Sequence, residues 1–441
     1  MQIYNEGIKI LKNVFKFAKH RHLKYLDRHI TARIKEALNV SPIVFLNGAR
    51  QTGKSTLVQT IAREVSSTNE PATYVTLDRP VLLASASSAP EAFLTGYQGS
   101  PVIIDEVQLA PELFRVLKIV VDEARLSGGT SANGKYLLTG SANILALPRL
   151  ADPLVGRMAI LTLYPFTAAE ATHNRPGGIE RLLRLDFKNI DARGLTLLNA
   201  IKKGTFPEII EANIADRRIW FDGYITSILQ RDVRQISELE KISLLPQLLS
   251  VLATRVGGLM NDSDIAREVG LTSVTGKSYR GILKLMFLTV DVKPWHRNVG
   301  KRLVKAAKGY IVDTNLACHL LDYDIDDVAS TKPELFGNLV ENFVATELLK
   351  QLSNSDVKAE LYHFRTSDGK EVDFILERPD GSVLAIEVKR SETVRMDDFK
   401  GIKVFQELAG KDFIGGIVLY SGRDVAPFGN NLWAVPFSVL W

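Results

Sequence analysis

The sequence has 441 residues, 46% apolar and 24% charged, with a net charge of +5 and a single cysteine. That length exceeds what one hydrophobic core usually supports, so two to four domains are expected, and the composition is that of a soluble globular chain. No apolar run approaches the roughly 18 residues needed to span a bilayer, which leaves no membrane role to expect. Cys318 has no partner for an internal disulfide and no zinc-like surroundings, so it reads as a small buried hydrophobe.

The start of the chain is basic and amphipathic. Lys9, Lys12, Lys16, Lys19, Arg21, Lys24 and Arg28 concentrate the positive excess there. The stretch lacks the unbroken apolar core and small-residue cleavage site of a secretory signal, so a cytoplasmic location is expected. Its charge suits a solvated helix face and a nucleic-acid arm equally well.

Residues 1–22 form this leader, and a helix-spaced segment from Leu23 to Leu38 follows. Ile43 to Leu46 is an apolar strand and Thr56 to Val65 is helix-compatible. Between them, Gly48, Gly53, Lys54 and Ser55 fit the phosphate-loop pattern without a mismatch. A polyphosphate carries several charges in a small volume, and converging backbone N–H groups at a helix N-terminus match it. Gly48, Ala49, Arg50, Gln51, Thr52, Gly53, Lys54, Ser55 and Thr56 would form the cradle. Lys54 would reach the outer phosphates and the Ser55 hydroxyl would ligate Mg²⁺.

Tyr74 to Asp78 reads as a second strand. The run from Pro101 to Gln108 is apolar until Asp105 and Glu106, which marks a strand covered on both faces with carboxylates at its C-terminal end. Ligands of parallel sheets bind at such ends. Asp105 would hold Mg²⁺ through water and Glu106 would polarise the attacking water. A third strand, Lys135 to Asn143, ends in small polar residues and would lie between the two nucleotide-binding strands. Arg157 precedes a further strand, Met158 to Tyr164. It could act as an arginine finger from a neighbouring subunit or form an ordinary intrachain ion pair.

The order GARQTGKSTL, VIIDEVQ, LLTGSAN, LVGRMAILTLYPF resembles the prokaryotic AAA-type P-loop ATPases that carry a C-terminal nuclease-like domain of unknown function, over nearly the whole chain. The resemblance implies ATP and Mg²⁺ as ligands, Lys54 and Ser55 as Walker A, Asp105 and Glu106 as Walker B, Ser141 as sensor and Arg157 as finger. Ala49 stands where the family commonly has Pro, with little expected effect.

Residues 23–175 are therefore expected to be an ATPase domain, with a helical linker or lid over 176–240. Within these regions Glu170 to Arg193 reads as a surface excursion and Arg217 to Ile236 as one long helix. Over 241–315, a helix from Leu244 to Val256, a capped helix from Asn261, and a second from Val274 to Phe287 have helix-turn-helix order. Leu288 to Pro294 and Lys301 to Val312 would pair as the wing of a winged-helix domain. Lys293, His296, Arg297, Lys301, Arg302, Lys305 and Lys308 would make a basic tip for phosphate contacts, while Lys277 and Arg280 could enter a major groove. Winged helices also serve as protein–protein modules and as lids on ATPase domains, and the charge favours DNA contact here.

Residues 330–441 begin with a helix bearing Glu341. Glu371 to Leu376 and Ala385 to Lys389 then alternate as a hairpin, placing Glu371, Asp373, Glu387 and Lys389 on its polar face. Two acids and a lysine beside a helix acid resemble the PD-(D/E)xK nuclease core. The implied catalytic set is Asp373, Glu387 and Lys389 with Glu341, and the implied metal ligands are Asp373 and Glu387 for a second Mg²⁺. His363 reads as structural.

The expectation is an α/β chain with a P-loop AAA-type domain, a winged helix and a nuclease-like domain. It would be a ring-forming homo-oligomer that couples ATP hydrolysis to work on DNA. A nucleotide-controlled assembly switch and an ATP-gated DNA nuclease are the rival readings.

Overall fold

A computed structural model describes residues 25–66, 71–97, 101–126, 132–141, 154–188, 190, 194–233, 241–298, 300, 302 and 306–441. The basic leader, Asn143, Lys301 and Lys305 lie outside them.

The first layer is helix α1 (Thr31–Val40), strand β1 (Ile43–Asn47), α2 (Lys54–Val65), β2 (Thr73–Thr76), α3 (Pro80–Ser88), α4 (Pro90–Gly96), β3 (Val102–Asp105), α5 (Glu112–Leu126), β4 (Tyr136–Gly140) and β5 (Met158–Thr162). The five strands are all parallel in the order β2-β3-β4-β1-β5. Strand β4 thus stands between the phosphate-loop strand and the acidic strand, as its small polar tip requires. Alternation along β1 sends Val44 and Leu46 to α2, where Leu57, Val58 and Ile61 cover them. Ile43 and Phe45 face the other way, into a core shared with Leu113, Leu117 and Val121 of α5. Burial on both faces is why these strands read as unbroken apolar runs.

The expected surface excursion is instead packed structure. Helix α6 (Ala168–Ala171) opens with a capping box in which Thr167 and Glu170 satisfy each other's backbone N–H, and Glu170 is buried. Helix α7 (Gly178–Arg184) buries Ile179, Leu182 and Leu183. After α8 (Leu197–Lys203), helix α9 (Ile214–Ser227) begins three residues before the expected Arg217 and continues as a π-turn over Ile228–Asp232, while residues 234–236 of the expected helix lie outside the described residues.

Helices α10 (Leu245–Thr254), α11 (Asp262–Glu268) and α12 (Ser273–Leu285) follow. Asn261 and Thr272 cap the last two. Gly276 lets α12 close on α11, since a Cβ there would lie 2.6 Å from that of Ala266. Strands β6 (Thr289–Pro294) and β7 (Lys308–Ile311) pair antiparallel.

This hairpin is also the edge of a larger sheet. After α13 (Thr314–Leu320), α14 (Ile325–Thr331) and α15 (Pro333–Asn354) come β8 (Glu360–Arg365), β9 (Glu371–Glu377), β10 (Val383–Lys389), α16 (Lys400–Ala409), β11 (Phe413–Tyr420), β12 (Ala426–Gly429) and β13 (Leu432–Pro436). Strands β8, β9 and β10 are an antiparallel meander, and β11 returns parallel to β10 after α16. Strand β6 pairs with β8 through Lys293 and Pro294, giving eight strands in the order β12-β13-β11-β10-β9-β8-β6-β7.

Helix α15 is buried on every side, from Leu339 to Gln351, because it sits between this sheet and the first layer. Its Glu347 accepts the Ala168 N–H of α6 at 3.0 Å, and Arg33 of α1 donates to the Leu352 carbonyl at 3.4 Å. Among the described residues no helix is long and apolar enough to cross a membrane.

Candidate nucleotide site and C-terminal acid cluster

The phosphate loop turns at Gly48, whose φ is +149° and where a Cβ would meet the Leu163 carbonyl oxygen at 2.1 Å. Only glycine lets that turn close. Gly53, at φ 89°, caps α2 in the left-handed region. Lys54 is buried inside the curl, its Nζ donating to the carbonyls of Gly48 at 3.0 Å and Ala49 at 2.8 Å. Above the loop is a cavity of about 490 Å³, whose floor includes Arg50, Gln51, Thr52, Gly53, Lys54, Ser55 and Thr56.

Glu106 also lines this cavity. Its backbone is left-handed, φ 58°, a conformation that costs a non-glycine residue on the order of 1 kcal/mol and aims it off the strand axis. Gln108 bridges its carboxylate to the Ser141 hydroxyl, the latter at 3.1 Å. Glu106, Gln108 and Ser141 are therefore one hydrogen-bonded group at the strand tips. Asp105 is buried beside them but does not line the cavity. Its oxygens accept from the hydroxyls of Thr139 and Tyr74, the latter at 2.6 Å. Burial and the Asp105 carboxylate push the Tyr74 phenol up to about 12, so it stays a donor.

The cavity's opposite wall is apolar and was not visible in the sequence. Leu26, Phe166, Pro207 and Ile210 form it, and Phe166 and Ile210 belong to a small hydrophobic cluster that Leu26 covers. Arg217 holds the turn that supplies Pro207 and Ile210 by donating to the carbonyls of Lys203 at 3.0 Å and Ile209 at 3.2 Å.

Arg28, read as part of a basic arm, is an internal clamp. It is buried, donates to the Thr52 carbonyl of the loop and to the Tyr164 carbonyl, both at 2.7 Å, and pairs with Glu170 at 3.1 Å. Burial would raise the Glu170 carboxyl, but Arg28 and His29 outweigh it and hold it low.

Arg157 is not brought to this cavity within the chain. It pairs with Asp122 on α5 at 2.5 Å. It also precedes Met158, which aligns with Ile43 at the start of β1, whereas the loop follows the end of β1. At about 3.3 Å per residue that separation is roughly 17 Å.

In the C-terminal sheet, Asp373 and Glu387 flank the β9–β10 register set by Phe374 opposite Ile386, and the Val388 N–H donates to Asp373 at 2.9 Å. Lys389 pairs with Glu387 at 2.9 Å. Glu371 is exposed and paired to Arg365 at 3.5 Å, apart from the buried group. Lys308, expected on an exposed basic tip, is buried here instead. Its Nζ lies 2.9 Å from Glu341 and 3.5 Å from Asp373, and Tyr310 donates to Glu341 at 2.7 Å. Burial and the Asp373 charge push Glu341 up to about 7 and Glu387 up to about 8. Burial pulls Lys308 down, but Asp373 and Glu341 outweigh it and raise it.

The rest of the expected basic surface is thinner than the sequence implied. Arg302 is buried against Glu377 and the Tyr362 ring. Arg280 is held by Asp262 at 2.9 Å and by Asp291 at 3.3 Å, so it is not presented to a groove. Lys277, Lys293 and Arg297 are exposed. His363 is buried, and its Nε2–H donates to the Ala306 carbonyl, 3.3 Å away.

Residues 40–172 match a family model described as an AAA domain. Two further models, each described as a domain of unknown function, match residues 195–327 and 336–440. The chain is similar to an uncharacterized protein of Mycobacterium tuberculosis, 27% identical over 410 residues that cover 93% of this chain and 83% of the relative. An uncharacterized protein of Haemophilus influenzae is 27% identical over 297 residues, 65% of this chain and 64% of that one. Among solved structures, a Walker-type ATPase of Pyrococcus abyssi overlaps with a TM-score of 0.41 at 17% identity, covering 68% of this chain and 97% of its own. The AMPPCP-bound DnaA of Aquifex aeolicus overlaps at 0.30 and 13% identity, covering 59% and 93%.

Proposed function

We propose that the protein is a Mg²⁺-dependent ATPase that works as a homo-oligomer and couples ATP binding and hydrolysis to DNA. The observation that carries the reading is the cavity that Lys54, Ser55 and Glu106 line together with Leu26, Phe166, Pro207 and Ile210. A triphosphate would lie in the loop, and the base would rest against Leu26, Phe166 and Ile210. Ser55 would supply an oxygen donor of the kind a hard cation prefers, Asp105, outside the cavity lining and bonded to Thr139 and Tyr74, would reach the cation only through water, and the cation would neutralise charge on the transferring phosphoryl group. Glu106 would take the proton of the attacking water, with Gln108 and Ser141 holding its carboxylate in place.

The chain's own Arg157 stands at the opposite end of the strands from the phosphate loop. An arginine for this site would then come from a second copy, which makes turnover depend on assembly. DNA would contact α12 and the wing through Lys277, Lys293 and Arg297, and the helix–meander–helix–strand order of the C-terminal domain supports a nuclease-like fold beside them.

ATPase rates with and without duplex, single-stranded and branched DNA test the reading. Lys54→Ala should abolish hydrolysis, and Glu106→Gln should bind ATP yet stall. Near-normal turnover by Glu106→Gln would remove Glu106 from its role. A nucleotide-controlled assembly switch is the second reading, favoured by the ion pairs that hold Arg280 and Arg302; no stimulation by any nucleic acid would select it.

A further inference from the structure

A nuclease-like reading of the C-terminal domain calls for a divalent cation between Glu341, Asp373 and Glu387. The side chains present do not fit one. Glu341 Oε1 already accepts from Lys308 Nζ at 2.9 Å and from the Tyr310 hydroxyl at 2.7 Å. Asp373 turns Oδ1 toward the same ammonium, 3.5 Å away, and Oδ2 toward the Val388 N–H. Glu387 Oε1 accepts from Lys389. Each carboxylate has an oxygen committed to a protein donor, and among the described residues no three His, Cys, Asp or Glu side chains gather closely enough to ligate a metal.

The backbone fixes Lys308 in this position. Its neighbours are bonded to the segment before α11, Met260 N–H to the Ala307 carbonyl at 2.8 Å and Gly309 N–H to the Gly258 carbonyl at 3.1 Å. Lys308 itself is in register with Val292 of β6. With β7 held in the sheet and the Lys308 side chain only 5% exposed, the ammonium is kept against Glu341 and Asp373. A dication placed among these acids would sit against a like charge and would have to strip Glu341 and Asp373 from their donor.

We propose that Lys308 is the resident cation of the C-terminal acid cluster, and that it excludes a divalent metal from this domain. The domain then serves as a binding module whose acid cluster is closed by a strand of the preceding module. The inference refines the nuclease-like part of the reading above and is independent of the ATPase part, because its test contains no nucleotide.

The test is Mn²⁺ binding to the full, nucleotide-free chain, followed by electron paramagnetic resonance and calorimetry. Wild type should bind no more Mn²⁺ than Asp373→Asn. Lys308→Met should gain one Mn²⁺ per chain, at least tenfold tighter than any wild-type binding, and adding Glu387→Gln should remove it. A wild-type Mn²⁺ site that Asp373→Asn abolishes would overturn the proposal. So would a folded Lys308→Met protein that binds none, or Mg²⁺- or Mn²⁺-dependent cleavage of labelled DNA by wild type that Asp373→Asn abolishes. If Lys308→Met does not fold, the comparison of wild type with Asp373→Asn decides alone.

Discussion

Arg28→Met isolates the clamp under the phosphate loop. The Arg28 and Glu170 side chains are 4% and 0% exposed and 3.1 Å apart, so removing the cation leaves a carboxylate buried with only the N–H groups of His29 and Thr167 to solvate it. Breaking a buried pair from one side costs about 3–5 kcal/mol. The Thr52 and Tyr164 carbonyls lose their donor as well, which moves the estimate toward the upper end. For a domain of this size the melting temperature should fall by roughly 10 °C or more. Urea melts of Arg28→Met, Glu170→Met and the double variant should give a coupling energy of at least about 2 kcal/mol, since the double variant leaves no orphan charge. Arg28→Met should also weaken ATP binding several-fold, because Thr52 is released from its anchor. A variant within about 1 kcal/mol of wild type, with ATP affinity unchanged, would refute the reasoning.

Gly48→Ala should abolish nucleotide binding by calorimetry, because its Cβ would have to enter the Leu163 carbonyl at 2.1 Å in a left-handed backbone. Burial lowers His363 from 6.5 to about 4, so the folded state resists a proton that the unfolded state accepts. Stability should therefore be lost as pH falls from about 6.5 toward 4, by up to roughly 3 kcal/mol, and His363→Phe should flatten that slope in urea melts. If Arg157 serves a neighbouring subunit, mixing Arg157→Ala with Lys54→Ala should restore part of the ATPase rate. No recovery would leave it in its intrachain pair with Asp122.

Much of this site is written in short stretches of sequence. The strand, loop and helix from Ile43 to Val65, the acids ending β3 and the hairpin carrying Asp373 and Glu387 are each set by local periodicity, glycine placement and an apolar run. Those signals fix what a segment is and where its end points. The small polar tip of β4 suits a place between the loop and acidic strands, and the pairing of the sheet puts it there.

What faces those segments was decided by packing. Arg28 reads locally as one more residue of a basic stretch, and becomes a clamp only where Glu170 and the Thr52 carbonyl meet it. Phe166 and Ile210 become the wall of a nucleotide cavity only when two distant loops close over it. Lys308 lies in a run of basic residues that pattern alone assigns to solvent, yet β7 joins the C-terminal sheet and carries it into the acid cluster. Periodicity encodes the face a side chain occupies, whereas the partner across that face depends on which distant element is packed there, and no local spacing records that choice.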